Sequence, residues 1–399
     1  MATTTPELTT DHTRATADEA HSHGLAEVPE ASRAARFAAF DLADFPAVTG
    51  AEEEWRFSPV DRLQRLISGA ATGAVSVDVT PAQGVTVTVT DRDGASTPGV
   101  AGVPNDQLAA TAWTAAAQRT QVTIGAEVET DAETTVVVRG EAGAPAASAH
   151  LLLTAEHHSK ALVVVDHVGG GELAQTVEID VHDGANLTVV SIQDWDRGAV
   201  HGSSHRARLG RDATLKHIVV SLGGDVVRVT VDGEFTQPGS SLESLGLYYA
   251  DAGQHLEHRL FVDHAVPRCT SRVTYKGALQ GESARSVWIG DVLIRKAAEG
   301  TDTYELNRNL VLTPGARADS VPNLEIETGE IEGAGHASAT GRFDDEQLFY
   351  LKARGIPEDV ARRLVVRGFF AELIQQIGVP AVEDRLQTAI EAELELTGL

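Results

Sequence analysis

A turn that recurs at a regular spacing is the feature that most restricts the fold of this 399-residue chain. Residues 183–187, 211–215 and 239–242 each place a small residue in a turn just before an apolar strand, and they follow one another at a constant interval. Residues 313–317 look like a later copy. Because no helical pattern separates these turns, the spacing favours a β-solenoid, in which every coil buries its apolar face against its neighbours. An antiparallel sandwich with evenly spaced hairpins is the alternative that the spacing leaves open.

The sequence changes character along its length, and the fold class that it predicts is mainly β with flanking helices. Short β-branched runs separated by Gly, Asp and Pro mark the central part, whereas helical patterns dominate on both sides. The predicted parts are a disordered acidic tail (1–30), an N-terminal helical or mixed domain (31–133), a β-helix core (134–342) and a C-terminal helical domain (343–399).

Helices are expected at specific places in the flanking parts. Before the core they are predicted around residues 31–44, 59–68 and 106–119, the last with Asn105 as its N-terminal cap. After the core, Pro357 is well placed as the first residue of a longer helix.

Charge and cysteine content exclude several classes of protein. The formal charge of −26 repels phosphate backbones and anionic lipids, so neither nucleic acid nor a membrane is an expected partner. The acidic N-terminus has no apolar signal region, which predicts a cytoplasmic protein. Cys269 is the only cysteine; it excludes an internal disulfide or an all-cysteine metal site and is expected to be a small buried hydrophobe. The 15 histidines are expected mostly in the tail and on strand surfaces.

Catalytic motifs are missing from the sequence. No phosphate-binding loop, nucleophile elbow or His-Glu-x-x-His motif occurs, so neither a nucleotide site nor an enzyme is expected. Glycines 169–171 predict a turn. Glu156, His157 and His158 could imitate a metal site, but adjacent His residues on a strand point to opposite faces, so at most one of them could bind a given ion. A β-helix enzyme acting on carbohydrates remains the enzymatic alternative; it would need clustered carboxylates and aromatic platforms, and five Tyr and four Trp offer few.

His336 stands in a run of very small residues, 333–341. Small residues allow another backbone or a bulky inorganic group to approach closely. On the residues alone, however, a purely structural role for this His is the simpler interpretation.

The helix that begins at Pro357 is apolar over more than one face. Enclosure by its own domain, against a helix over residues 381–396, is one explanation, but it is difficult in a domain of this size. We therefore expect a docked partner to cover part of it, with basic residues supplying polar specificity. The predicted partner-binding residues are Arg362, Arg363, Val366, Arg367, Phe369, Phe370 and Leu373.

An ordered series of short motifs fills the C-terminal third of the chain and has one counterpart upstream. The motifs are residues 283–290, 301–302, 307–310, 322–326, 335–337, 344–351, 354–357 and 367–370, with 54–57 upstream. In this order they resemble the SufB/SufD family of iron–sulfur cluster assembly proteins.

The resemblance implies a right-handed parallel β-helix flanked by helical domains. It also implies a non-catalytic scaffold that pairs with a SufB-like paralogue through the β-helices and attaches a SufC-like ATPase at its C-terminal helical domain. A transient iron–sulfur cluster would be shared with the paralogue, and His336 matches the His that the SufD branch is thought to contribute.

Within the family the single Cys and the Ala-rich N-terminal region favour the SufD branch. The chain departs from many SufD proteins at Ala334, where they have a Cys two residues before the His, so His336 is left without a neighbouring thiol. A SufB-type or homodimeric scaffold is the alternative within the family. Cluster type, the binding of a flavin to the assembled complex and the role of Cys269 are not decided by the sequence.

Overall fold

A computed structural model describes residues 36–96, 98–343 and 345–396 of the chain. The predicted disordered tail over residues 1–30 lies outside these ranges. The helices are α1 (Val60–Ile67), α2 (Gln107–Ala115), α3 (Asp345–Ala353), α4 (Glu358–Ile377) and α5 (Pro380–Leu396). The first nine strands are β1 (Ser76–Thr80), β2 (Val85–Asp91), β3 (Gln118–Ile124), β4 (Thr134–Gly140), β5 (Ala147–Ala155), β6 (Lys160–Gly169), β7 (Glu172–Val181), β8 (Asn186–Trp195) and β9 (Val200–Leu209). The next nine are β10 (Thr214–Ser221), β11 (Val226–Phe235), β12 (Ser241–Ala250), β13 (His255–His264), β14 (Thr270–Leu279), β15 (Arg285–Ile294), β16 (Asp302–Val311), β17 (Arg317–Ile326) and β18 (Gly333–Arg342).

The strands form two nine-stranded sheets, and the chain alternates between them. Sheet A has the order β17-β15-β13-β11-β9-β7-β5-β3-β2 and sheet B the order β1-β4-β6-β8-β10-β12-β14-β16-β18. Every pair is parallel and in register except β1 with β4 and β2 with β3, which are antiparallel. The length of a turn varies along the stack, since Lys160 pairs with Asn186 in an early, shorter turn and Thr270 pairs with Asp302 in a late, longer one. The predicted β-solenoid is therefore confirmed, and the antiparallel sandwich is not the fold.

The flanking elements differ in detail from the predicted helices. Strand β3, which pairs in parallel with β5, brings the solenoid back into the region predicted to be helical or mixed. In the described part of residues 31–44 the regular element is a short 3₁₀ turn at Leu42–Asp44. The side chain of Asp106, not Asn105, caps α2 by accepting from the backbone N–H of Ala109 at 2.8 Å, while Asn105 donates to Asp232 at 3.0 Å.

Three apolar layers hold the solenoid together. The interior is filled from both sheets, for instance by Val163 and Val165 of β6. The outer face of sheet A is covered by the N-terminal elements, including Trp55, and the outer face of sheet B, including Val164, is covered by α4 and α5. Strands buried on both faces read as continuous apolar runs rather than as alternating patterns.

A buried Arg fastens the N-terminal elements to sheet A. Arg228 of β11 is 1% exposed; it donates to Asp106 at 2.7 Å and to Glu257 at 3.3 Å, and its guanidinium lies 4.2 Å from the ring centre of Trp55. Because the charge is paired on two sides and stacked on an aromatic ring, its desolvation is offset. Removing either carboxylate would leave a buried charge short of a partner.

Many histidines lie inside the protein, which corrects the expectation that they occupy strand surfaces. Eight are buried: His150, His167, His201, His205, His217, His255, His258 and His264. Burial lowers the pKa of His217 to about 4 and the pKa of His258 to about 3, so both are neutral at neutral pH. The surface expectation was wrong because both faces of most strands are covered, which leaves few surface positions. No helix in the described ranges combines the length and the apolar character needed to cross a bilayer.

Two tyrosines fill the interior by lying over glycines of the neighbouring strand. Tyr248 of β12 is in register with Gly277 of β14, and Tyr275 of β14 is in register with Gly246 of β12. Both rings are fully buried. A Cβ atom at Gly277 would lie 1.8 Å from the Tyr248 ring, so the ring can occupy this place only because the neighbour is Gly.

We predict that Gly277→Ala destabilises the chain by about 2–3 kcal/mol, because overfilling a packed interior forces side chains out of their rotamers. Urea unfolding followed by circular dichroism measures the change. Gly329→Ala is the matched control: a Cβ atom there meets nothing within 4 Å, and the expected effect is under about 0.5 kcal/mol. Equal unfolding midpoints for the two variants would contradict the packing argument.

Candidate functional site

The last turn of the solenoid ends in two strands with free edges. Strands β17 and β18 are the final strands of sheets A and B, and each has one edge that no further strand of the described residues pairs. At the opposite end the parallel pattern is closed by the antiparallel strands β1 and β2. Parallel edges carry a row of unpaired N–H and C=O groups that can accept another strand. We call the end formed by β17 and β18 the open end.

His336 lies on β18, at the open end. It is exposed, and its register partner on β16 is Glu305. Inward-facing and outward-facing residues alternate along a strand. The inward-facing residues of β16 include Glu305, which is buried, so His336 faces the interior side of the solenoid at the point where the stack of strands stops.

Glu305 is a buried carboxyl group without a compensating partner. It is 1% exposed, and neither of its carboxyl oxygens has a hydrogen-bond partner among the described residues. Its Oε1 atom would lie 2.7 Å from a Cβ atom at Gly290, so the carboxyl group occupies the space that this Gly leaves empty. Burial, with a further contribution from the negative charge of Asp291, raises the pKa of Glu305 to about 8. At neutral pH the group is therefore a neutral acid.

Beside this pair lies a connected set of amide and hydroxyl groups. Asn309 donates to Asn307 at 2.9 Å, to Ser320 at 2.9 Å and to Thr340 at 3.3 Å. Tyr248 donates to Asn309 at 2.5 Å. The network joins β16, β17 and β18, and it fixes the backbone on which His336 and Glu305 stand.

The candidate site brings no thiol from this chain. Cys269 is fully buried at the turn before β14, where its sulfur lies 3.5 Å from the Pro267 carbonyl oxygen and 3.5 Å from the Ser240 hydroxyl. The prediction that it is a small buried hydrophobe is confirmed. At Ala334, two residues before His336, the side chain packs against the interior core.

Three of the predicted partner-binding residues are covered by the chain itself, which corrects the predicted docking surface. Val366, Phe370 and Leu373 are at most 1% exposed and pack on the outer face of sheet B. The expectation that a partner must cover them ignored the solenoid, whose outer face supplies the missing apolar surface. Phe369 is half-buried, with the ammonium group of Lys276 5.5 Å from its ring centre.

The predicted arginines of α4 differ in exposure: Arg367 is exposed, whereas Arg362 is half-buried over the ring of Phe343. Arg362 pairs with Glu358 at 3.1 Å, and Arg367 pairs with Glu391 of α5 at 2.9 Å. Arg363 is half-buried.

Sequence reasoning did not predict the groove between α4 and α5 or the exposure of two aromatic side chains on the preceding helix, α3. The groove has a volume of about 330 Å³ and is lined by Leu364, Arg367, Gly368, Phe370, Ala371, Ile374, Gln387 and Ile390. Leu364 is 43% exposed, and Phe349 and Tyr350 of α3 are 74% and 56% exposed. The adjacent Phe and Tyr in the first helix after the core are the signal that could have indicated this surface.

A second group of ligand-type side chains lies at a corner of the solenoid. Glu156 and His157, in the turn between β5 and β6, meet His182 from the turn between β7 and β8. Of the adjacent pair His157 and His158, only His157 belongs to the group. Both residues lie in a turn and not on a strand, so the alternation of strand faces is not the reason. His182 was missed, although it follows His157 in the sequence by close to one solenoid turn.

Fold and site together define a class of protein. It is a two-sheet β-solenoid with helical elements packed on both outer faces, and its last parallel strands present an exposed His beside a buried carboxyl group.

Comparisons with known proteins agree with this class. A family model described as SUF system FeS cluster assembly, SufBD core domain, matches residues 137–369. An iron–sulfur cluster assembly SufBD family protein of Mycobacterium tuberculosis is 54% identical over 369 residues, which are 90% of this chain and 93% of that protein. The SufBD family protein of Mycobacterium leprae is 52% identical over 369 residues, 90% of this chain and 94% of that protein. The SufD protein of Bacillus subtilis is 26% identical over 256 residues, 62% of this chain and 57% of that protein. The chain belongs to the SufBD family of iron–sulfur cluster assembly proteins.

We predict that Glu305→Gln makes the chain more stable, and increasingly so as pH rises. The pKa of Glu305 is raised in the folded state, so its stabilising contribution is complete below about pH 4.5 and is lost as pH rises towards 8. A Gln has no such dependence. The expected gain is on the order of 4 kcal/mol at pH 8 and under about 1 kcal/mol at pH 5.

Melting temperatures of both proteins at pH 5 and pH 8 test this. Glu234→Gln, at an exposed position of β11, is the control and should change neither value. A difference between wild type and Glu305→Gln that stays constant with pH would show that Glu305 is not held as a neutral acid.

Proposed function

We propose that this chain is a non-catalytic scaffold subunit of the SUF iron–sulfur cluster assembly system, acting in the role of SufD. The observation that carries the proposal is the open end, where His336 and Glu305 share the inward face of two neighbouring strands. Membership of the SufBD family supplies the chemical context. The subunit would act in the cytoplasm, without a nucleotide site of its own.

The ligand count at the open end supports a shared site. Iron–sulfur clusters are held by about four ligands, most often thiolates, with imidazole as a known substitute. This chain offers one imidazole and one carboxyl group there, and its only thiol is buried at the Cys269 turn. A cluster formed at this place must therefore take its remaining ligands from a second, cysteine-bearing chain. The cluster is cargo, and a site with few soft ligands from this side favours its release.

The free edges support a solenoid partner. A strand of a second chain can extend each sheet by backbone hydrogen bonds, as in other cases of strand addition. A SufB-like paralogue is the partner that fits best, because its own solenoid would have matching strands. The polar network around Asn309 lies at the same place and would give the contact specificity.

The groove between α4 and α5 supports a docking site for a SufC-like ATPase. Leu364 is exposed, Gly368 leaves room for a close approach, and Arg367 adds a charge beside the groove. Lys276 joins α4 to β14 through a 2.8 Å ion pair with Glu372 and a 3.1 Å bond to the Phe369 carbonyl. A force applied to α4 would thus reach a strand whose sheet ends at β18.

We predict that His336→Ala lowers the cluster content of the assembled complex at least several-fold while the complex still forms. Anaerobic reconstitution of the complex co-expressed with its SufB-like and SufC-like subunits, followed by iron and sulfide analysis, measures this. His336→Cys should retain cluster, because a thiolate replaces the imidazole as a ligand.

Ala339→Ser, at an exposed position on the same strand, is the control. Unchanged cluster content in His336→Ala would remove His336 from the site. Loss of the complex in His336→Ala would assign the residue a structural role instead, and a stable homodimer that builds clusters without a paralogue would contradict the proposed pairing.

We predict that Leu364→Glu weakens binding of the ATPase at least tenfold, because a charge in an apolar contact stays desolvated and unpaired. Titration calorimetry with the purified ATPase subunit measures the affinity. Gln375→Glu adds the same charge at an exposed position of α4 that does not line the groove, and it should bind like wild type. Equal affinities for both variants would place the ATPase elsewhere on this chain.

A further inference from the structure

The corner cluster, defined as Glu156, His157 and His182, lies on two successive turns of the solenoid. Its ligand atoms all lie within 4.8 Å of one another. The rings of His157 and His182 are 5.0 Å apart between centres, and the Nδ1 atom of His182 is 3.0 Å from a carboxylate oxygen of Glu156. Each turn contributes to the cluster, so the ligands come together only in the folded solenoid.

Backbone hydrogen bonds hold the two turns against each other. The N–H of His182 donates to Ala155 at 2.9 Å, and the N–H of His158 donates to Asp183 at 3.1 Å. The N–H of Glu156 donates to Ile124 in the preceding turn at 3.0 Å. Ligands that stand on a rigid frame lose little entropy when they bind an ion.

The imidazole of His182 lies between two carboxylates, and this is the second indication of a cation. Its Nε2 atom is 3.1 Å from Asp180, and its Nδ1 atom is 3.0 Å from Glu156. A neutral imidazole carries one N–H and can donate to only one of these two carboxylates. The arrangement is favourable when a positive charge, either a second proton or a metal ion, lies on the side of Glu156.

Asp180, which accepts from Nε2 of His182, is placed like the carboxylates that orient His ligands in metal sites. Asp180 is 4% exposed and is held by Arg208 through two hydrogen bonds of 3.0 Å. A fixed carboxylate that accepts Nε2–H from His182 sets the tautomer and leaves the lone pair on Nδ1. That lone pair points towards Glu156, on the side where His157 also lies.

We propose that Glu156, His157 and His182 bind a divalent transition-metal ion. Two imidazoles and one carboxylate suit Fe²⁺ and Zn²⁺, whereas Mg²⁺ and Ca²⁺ prefer oxygen ligands alone. With ligand bonds of about 2.0–2.2 Å, His182 Nδ1 and the Glu156 oxygen, 3.0 Å apart, are already near the spacing of two ligands on one ion. The exposed ring of His157 can rotate to approach them. Three protein ligands leave at least one coordination position for water or a second molecule. The site is separate from His336, and it does not depend on the proposed scaffold role.

The test is a calorimetric titration of the full chain, freed of metal with a chelator, with Zn²⁺ in air and with Fe²⁺ under anaerobic conditions. We expect one strong equivalent for at least one of these ions and none for Mg²⁺ or Ca²⁺. His182→Ala and Glu156→Gln should weaken that equivalent at least tenfold, and Asp180→Asn should weaken it about tenfold through the orientation of His182. Substitution with Co²⁺ adds a visible spectrum that reports nitrogen ligation and is independent of any cluster chemistry.

One variant serves as the control. His158→Asn changes the neighbouring His, which does not belong to the corner cluster, and Asn tolerates the φ of 55° found there. It should bind like wild type. The proposal is overturned if the variants of the corner cluster keep their melting temperatures and still titrate like wild type. Equal competition by Mg²⁺ or Ca²⁺ would also overturn it, because binding would then reflect attraction to the overall negative charge. Loss of the strong equivalent in His336→Ala alone would place the metal at the open end instead.

Discussion

In-register parallel stacking is the constraint on which the rest of this structure depends. Each strand places every side chain above its counterpart one turn earlier, so a residue type chosen at one level must suit the levels on both sides. Tyr248 over Gly277 and Tyr275 over Gly246 satisfy this rule by exchanging large and small residues between two neighbouring strands. At the last strands, β17 and β18, the rule cannot be met on both sides, because one neighbouring strand is missing. Stacking on both sides stabilises the middle of the solenoid, and its absence on one side leaves unpaired backbone groups and side chains at the open end.

Both outer faces of the solenoid are covered by elements from the same chain, and this determines what is left for other molecules. The N-terminal elements are fixed to sheet A through Arg228, and α4 and α5 cover sheet B. Among the described residues, the surfaces left available include the free edges of β17 and β18, the groove between α4 and α5 and the turns at the solenoid corners. The His and carboxyl groups discussed above lie at the first and third of these places.

Much of the fold could be predicted from sequence, because turn spacing is a local property. The interval between Asp183 and Arg211 reappears as the register of Asn186 with Thr214. Which side chains are buried was harder to predict than the spacing of the turns. Val366 would be apolar whether sheet B or another protein covers it. The sequence of α4 does not reveal which of the two does. Contacts between turns were the hardest, since the meeting of His157 with His182 depends on a register that single-residue patterns do not give.

Glu305 and His182 are two polar groups whose surroundings suit a bound cation. Glu305 holds an unpaired acid in the interior, where an amide or an apolar side chain would be more stable, and His182 holds one ring between two carboxylates. A rigid solenoid can tolerate such positions because its many in-register backbone bonds keep the surrounding strands in place. On the two proposals above, a cation would replace the acidic proton of Glu305 beside His336 or would lie between His182 and Glu156. The same frame that makes these residues costly in the empty protein therefore preorganises them for binding.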